Sequence, residues 1–277
     1  MTFEDFCRLH GVILTRAPVP GRWMRVPTED KPKHRNGAVK FMSTWGLAQN
    51  WATMTEPAVW RAEGEPTLVA ERARELAGRA RAESDLNARM AAERAEAMLS
   101  ECELASHPYL AAKGFANELA NVWKREADNV LVIPMRNAGG IVGAQLISPD
   151  GDKKFLFGQR SGGAEFVIGQ RGMHFLCEGY ATALSARQAL HNLKLPYVLH
   201  VAFSAWNMKK VAARLSQGFL IADNDASGAG ERVAREIGWP YWMSDSVGED
   251  ANDFAQRCGV FALAMGIKRV MLVRRGA

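Results

Sequence analysis

Cysteine is scarce: four residues in 277, Cys7, Cys102, Cys177 and Cys258, lie far apart. No C-x-x-C and no Cys/His pair has the spacing of a structural zinc site, so zinc is not expected. Scattered thiols in a chain without a secretion signal read as reduced, small, mostly buried side chains rather than disulfides. Long apolar runs are missing too, since no stretch approaches the roughly 20 residues of a membrane span. The opening MTFEDFCRLHGVILTRAPVP carries early acids and no continuous apolar core, so no secretory leader is expected. A cytoplasmic protein with no membrane partner is expected. There is also no G-x-x-x-x-G-K-[ST] loop, so the chain has no helicase motor of its own and any helicase is a separate partner.

What is present suffices for an ordinary core: 48% of residues are hydrophobic. The net charge of +5 and pI near 9.1 suit a polyanionic partner without proving one.

The composition shifts along the chain. Residues 1–60 hold Trp23, Trp45, Trp51 and Trp60 among short alternating runs and turns, which predicts a small β-rich module. Between Arg22 and Lys40 the bases Arg22, Arg25, Lys31, Lys33, Arg35 and Lys40 face only the acids Glu29 and Asp30. Residues 61–105 turn to Ala, Glu and Arg with pairs such as Glu71/Arg74 and Glu75/Arg79, predicting a solvated helical connector. Gly78 and Ser84-Asp85 leave one long helix and two shorter ones both open. From Val130, the runs VLVIPM, IVGAQLIS and Lys153–Phe157 with intervening turns predict an antiparallel meander. After Gly172 short apolar runs alternate with helical stretches, the pattern of a parallel sheet built from βαβ units. The expected strands are Met173–Cys177, Tyr197–Ala202, Phe219–Ala222 and Trp239–Met243.

Carboxylates fall at the ends of these strands. Glu178 follows HFLC and precedes Gly179; Asp223-Asn-Asp225-Ala-Ser-Gly228 follows FLIA; Asp250-Ala-Asn252-Asp253 follows the fourth strand. In an open parallel sheet, ligands bind at the carboxyl ends of strands, so these acids are candidates for one site. Crowded carboxylates resist ionisation unless a cation neutralises them. Hard oxygen donors without His or Cys favour Mg²⁺ or Mn²⁺, which points to phosphate chemistry. An Asp-x-Asp before a glycine-rich turn also serves as an Asx turn or helix cap, so that reading stays open.

Cys177-Glu178-Gly179-Tyr180-Ala181-Thr182-Ala183 resembles the E-G-x-x-T-A motif of Toprim domains, and Asp223-Asn-Asp225-x-x-Gly228 their D-x-D-x-x-G. Glu249-Asp250-Ala-Asn252-Asp253 is similar to the K-D-x-N-D segment of DnaG-type, phage and plasmid primases, with Glu249 in place of lysine. His107-Pro-Tyr-Leu-x-x-Lys113-Gly114 resembles the motif that opens the polymerase core of that branch. Together these resemblances run from about 107 to 256. They imply an α/β fold with a Toprim Rossmann-like parallel sheet over 171–260 and an α+β basic subdomain over 106–170, followed by a tail, 261–277. That tail reads equally as a final strand, a partner-docking segment or a basic end contacting nucleic acid.

The implied activity is template-directed synthesis of RNA primers from ribonucleoside triphosphates on single-stranded DNA, for phage or plasmid replication. Glu178 would act as base, Asp223 and Asp225 would hold magnesium, and Asp250 and Asp253 would complete a second metal position. Lys113, Lys153, Lys154 and Arg160 would line the groove for nucleotide or template. The family's N-terminal zinc module has no ligands here, so residues 1–60 are expected to replace it, with Arg22, Trp23, Arg25, Lys33, Arg35 and Trp51 on the template. A non-catalytic protein that binds single-stranded DNA or an origin, and a metal-dependent Toprim nuclease, are the alternatives.

Overall fold

The computed structural model describes residues 1–54, 56–62, 67–125 and 129–273, with side chains undescribed over 67–74. The protein is mixed α/β, with eight helices and three sheets among the described residues. No described helix is long and apolar enough to cross a membrane. The chain divides into two compact units, Met1–Asn87 and Ala88–Ala277. They meet inside the segment expected as a connector.

The first unit opens with α1 (Phe3–Leu9), a helix at the start of the module expected to be β-rich. Thr2 caps it, its hydroxyl accepting from the Asp5 N–H at 3.1 Å. There follows an antiparallel meander of β1 (Trp23–Val26), β2 (Gly37–Phe41), β3 (Trp45–Asn50) and β4 (Ala58–Arg61). Because side chains alternate along a strand, the pattern splits the sheet. Val26, Val39, Ala48 and Trp60 pack with Phe3, Phe6 and Cys7 of α1. The registers Trp23↔Lys40, Lys40↔Leu47 and Leu47↔Val59 set those four residues on the opposite face. Gly46 is obligatory here, because a Cβ would overlap the Phe3 ring.

α2 (Thr67–Ser100) is one 34-residue helix, which settles the choice left open by Gly78. Glu75 and Arg79 pair along it at 2.7 Å, while the Glu71/Arg74 pair lies outside the described side chains.

In the second unit, β5 (Glu103–Ala105), β6 (Ala120–Lys124), β7 (Asn129–Asn137), β8 (Gly140–Ile147) and β9 (Lys153–Phe155) form an antiparallel sheet in chain order, with α3 (Pro108–Ala112) between β5 and β6. Ala91, Ala95 and Met98 of α2 cover one of its faces, with Val132, Ala144 and Leu156.

The remaining elements are β10 (Phe166–Ile168), β11 (Met173–Cys177), α4 (Tyr180–Asn192), β12 (Tyr197–Val201), α5 (Ala205–Ala212), β13 (Phe219–Ala222), α6 (Ala229–Ile237), β14 (Tyr241–Met243), α7 (Ala251–Cys258) and α8 (Val260–Val273). Their sheet runs β10-β12-β11-β13-β14; β11, β12, β13 and β14 are parallel and β10 is an antiparallel edge. Strand β13 is buried at every position because helices lie on both faces, so it reads as an uninterrupted apolar run.

One core joins the expected subdomains: Leu131, Ile133 and Met135 of β7 pack with Phe175, Leu184, Phe219 and, from α8, Leu263 and Ile267. The segment 261–273 is therefore helix and core, not a final strand; Arg274 and Arg275 of the basic end lie outside the described residues.

Candidate active site at the strand ends

The carboxyl ends of β11 and β13 are neighbours, since Cys177 is in register with Ile221. Glu178 and Asp223 leave the sheet just beyond. Asn224 ties their surroundings together: its amide donates to the Ser244 carbonyl at 2.9 Å and its backbone N–H to the Glu249 carbonyl at 3.2 Å. The loop before Asp250 is thereby fastened beside Asp223.

These acids sense one another. Burial, the Glu178 and Asp250 charges and Asp225 push the Asp223 carboxyl up to about 7, against the opposing pull of Lys153. Burial and then Asp225 raise Glu178, while Lys153 and a hydrogen bond from the Ala205 N–H hold it down. The Cys177 thiol, fully buried beneath Asp223, Asp250 and Glu178, is pushed well above its ordinary value, burial being the main cause. It is no nucleophile.

The acids differ in what satisfies them. Asp225 is tied to its own loop: one oxygen accepts from the Ser227 N–H at 2.8 Å and from the Ser227 hydroxyl, the other from the Gly230 N–H at 3.1 Å. Burial would raise it, but these donors outweigh burial and its carboxyl lies below the usual range. Gly230 permits the arrangement, because a Cβ there would overlap the Asp223 carbonyl oxygen. Asp250 caps α7, accepting from the N–H groups of Asn252 at 2.7 Å and Asp253 at 2.9 Å. Asp253 pairs with Lys113 at 3.0 Å. Lys113 was expected on nucleotide or template; here its ammonium neutralises an acid of the cluster.

Among the described residues, no three Asp, Glu, His or Cys side chains converge closely enough to hold one metal ion together. The five acids lie in one region, yet four of them are engaged by donors of the protein itself. Asp223 is the exception, for its Oδ1 is buried with no hydrogen-bond partner. The Tyr109 and Thr182 hydroxyls are likewise buried and unpaired; Tyr109 is pushed up to about 12 by burial and by Asp250 and Asp253. Unsatisfied buried groups are rare enough to require a reason. An acid kept near neutrality first by burial and then by its acidic neighbours, with an unpaired oxygen, fits Mg²⁺, which takes one or two carboxylates and keeps the rest of its shell for water and phosphate.

The basic residues separate by strand parity. Lys153 lies in register with Ile147, which faces the parallel sheet, and its charge reaches Glu178 and Asp223. Lys154 lies in register with Leu146, on the face that α2 covers, so it does not line the same groove. Arg160 is exposed in the loop after β9.

In the first unit Arg22 pairs with Glu83, and the Arg25 guanidinium lies 3.6 Å from the centre of the Trp51 ring. Trp23, Lys33 and Arg35 are exposed. Trp60 is core, its indole N–H donating to the Met1 carbonyl at 3.0 Å.

Two residues that the sequence reading named only as parts of the resembled motif have supporting roles. Buried Asn252 donates to the Lys113 carbonyl at 2.8 Å and to the Ser185 hydroxyl at 3.0 Å, joining α7 to α3 and α4. Its signal was its place between two aspartates. Glu249, standing where the resembled motif has lysine, is held bidentately by Arg257 at 2.7 and 2.9 Å. That pairing keeps its carboxyl low and gives the replacement a structural explanation. A comparison with family models and with curated proteins finds no match.

Proposed function

We propose that the chain is a Toprim-type DNA primase that makes short RNA primers on single-stranded DNA, in the replication of a phage or plasmid. In this reading the parallel sheet of the second unit is a Toprim Rossmann-like sheet and β5–β9 belong to the basic subdomain. The observation that carries the reading is the unpaired, buried Asp223 oxygen at the end of a central parallel strand, within reach of the Glu178 and Asp250 charges. With the E-G-x-x-T-A and D-x-D-x-x-G patterns on the same two strand ends, this supports metal-dependent phosphoryl chemistry.

Asp223 and Asp225 are the residues that would hold Mg²⁺ or Mn²⁺, with Asp250 and Asp253 nearest a second position. Bound there, the metal would neutralise triphosphate charge and acidify the attacking hydroxyl. Glu178, raised by burial and oriented by the Ala205 N–H, is suited to take the 3′-hydroxyl proton of the growing primer. Lys153 offsets the acids and attracts phosphate without reading bases. The second face of the meander, where Trp23 and Arg25 are exposed and Trp51 stacks on Arg25, suits a template strand, the aromatics taking bases and the cations the backbone. Unwinding would come from a separate helicase.

One observation favours a second reading. Asp225, Asp250 and Asp253 already have local partners, as in a chain that binds single-stranded DNA or an origin without catalysis. Incubating the protein with mixed single-stranded templates, labelled ribonucleotides and Mg²⁺ separates the two, with Asp223→Ala/Asp225→Ala as control. Short labelled products absent from the control are expected. Binding without products favours the second reading, and cleavage of the template favours a Toprim nuclease.

A further inference from the structure

Beside Glu178 lies a group of side chains that the carboxylate chemistry does not use. Phe203 leaves β12 with φ +65°, an unusual conformation for a bulky residue, and its N–H donates to the Glu178 carbonyl at 2.9 Å. Ser204 caps α5, and the Ala205 N–H reaches the Glu178 carboxylate. The next residue, Trp206, is 49% exposed, and the Lys210 ammonium sits 4.0 Å from the centre of its ring. On the other side of the same turn the Phe155 ring meets Phe203 edge-on at 6.4 Å. Phe155 is 46% and Phe157 80% exposed. Lys153 and Phe155, two apart on β9, share one face of that strand.

The platform is rigid. The Asn207 amide donates to the carbonyls of Ala164 and Ala202 at 2.7 and 2.8 Å, and the Gly163 N–H donates to Asn207 Oδ1 at 2.6 Å. Arg214 donates to the Gly163 carbonyl at 2.7 Å and pairs with Glu165 at 3.1 Å. α5, which carries Trp206 and Lys210, and the loop before β10 therefore act as one body, and β9, with Phe155 and Lys153, meets it at the Phe203 turn.

We propose that Trp206, with Phe155 across the Phe203 turn, is a base-stacking track for single-stranded nucleic acid beside the carboxylate cluster. This rests on the phosphoryl-transfer reading of that cluster. Stacking on π-faces tolerates any sequence, and the flanking lysines take the phosphates. Rings on two separate elements offer more positions than one mononucleotide can fill, which favours a strand over a free nucleotide.

The test is fluorescence anisotropy of a labelled oligodeoxythymidine and of an abasic strand of equal length, with primer synthesis measured in parallel. Trp206→Leu is expected to weaken oligodeoxythymidine binding about tenfold while changing abasic binding by less than about twofold, and Trp206→Phe to restore most of the loss. Lys210→Met is expected to weaken both strands alike and to flatten the salt dependence. Equal losses of Trp206→Leu on the two strands, no loss, no binding by the unaltered chain, or displacement of the strand from Trp206 by ribonucleoside triphosphate alone each overturn the track. Unchanged binding by Trp206→Leu in a protein that makes primers overturns the track and leaves the primase reading. Selective loss in a protein that makes none supports the track and removes that reading.

Discussion

The meander of the first unit and the parallel sheet of the second bury their strands differently. The meander hides one face under α1 and leaves the other to Trp23, Arg25, Lys40 and Leu47. Strand β13 is apolar and buried at all four positions, with helices on both sides. A one-faced sheet can carry binding groups across its surface. Strand β13 has no room for polar side chains along its length, and its carboxylate stands where the strand ends, beside Glu178 at the end of β11.

This contrast can be broken by substitution. Phe219→Ala, in the two-faced core, is expected to cost about 3–5 kcal/mol in urea unfolding, and Val39→Ala in the one-faced core about 1–3 kcal/mol. Equal costs would mean that the second face of the parallel sheet contributes little. At the strand end, Gly230→Ala forces a methyl against the Asp223 carbonyl and should destabilise by roughly 1–3 kcal/mol, read as a lower Tm together with weaker Mg²⁺ stabilisation.

Asp223→Asn acts in the other direction. The carboxyl titrates near 7 in the fold but near 3.8 when unfolded, so the native state holds a proton that the unfolded chain has released. Its contribution to stability is complete below about pH 4 and is lost as pH rises through 7. At pH 7 without metal, Asp223→Asn should stabilise by roughly 1–3 kcal/mol, a gain that fades by pH 4. Added Mg²⁺ should raise the Tm of the unaltered protein more than that of the variant. The smallest effect belongs to the open face: Trp23→Ala should change stability by less than about 0.5 kcal/mol while weakening single-strand binding.

The parallel sheet was legible because buried strands write themselves as apolar runs. Met173–Cys177 and Phe219–Ala222 have the expected bounds. The fourth strand starts at Tyr241 rather than Trp239, since Pro240 has no N–H to give a ladder. α1 was missed although Thr2 and Asp5 carry a capping signal, because seven residues are too few to show a helical period among alternating runs. α8 was missed where Met271-Leu-Val looked strand-like; the inward residues Leu263, Ala264 and Ile267 decide the matter.

At the site, residue types and strand-end positions were readable, but hydrogen-bond allegiance was not. Nothing local in the sequence says that Asp253 takes Lys113, a partner 140 residues away, whereas the cap that Asp250 places on α7 is a contact with residues two and three positions on. The commitment of Asp225 to Ser227 and Gly230 is local, and the Asx-turn alternative anticipated it.

The alternation of Lys153 and Lys154 makes the β8–β9 hairpin a selector between two charges. One residue inserted into the turn Ser148–Asp152 would slip β9 by one step against β8. Lys154 would then turn toward the acids, Lys153 would take its place against α2, and Phe155 would leave the face it shares with Phe203. An insertion that leaves composition and net charge almost unaltered would thereby rewire the site, so the length of this turn is as much a determinant of the chemistry as any carboxylate.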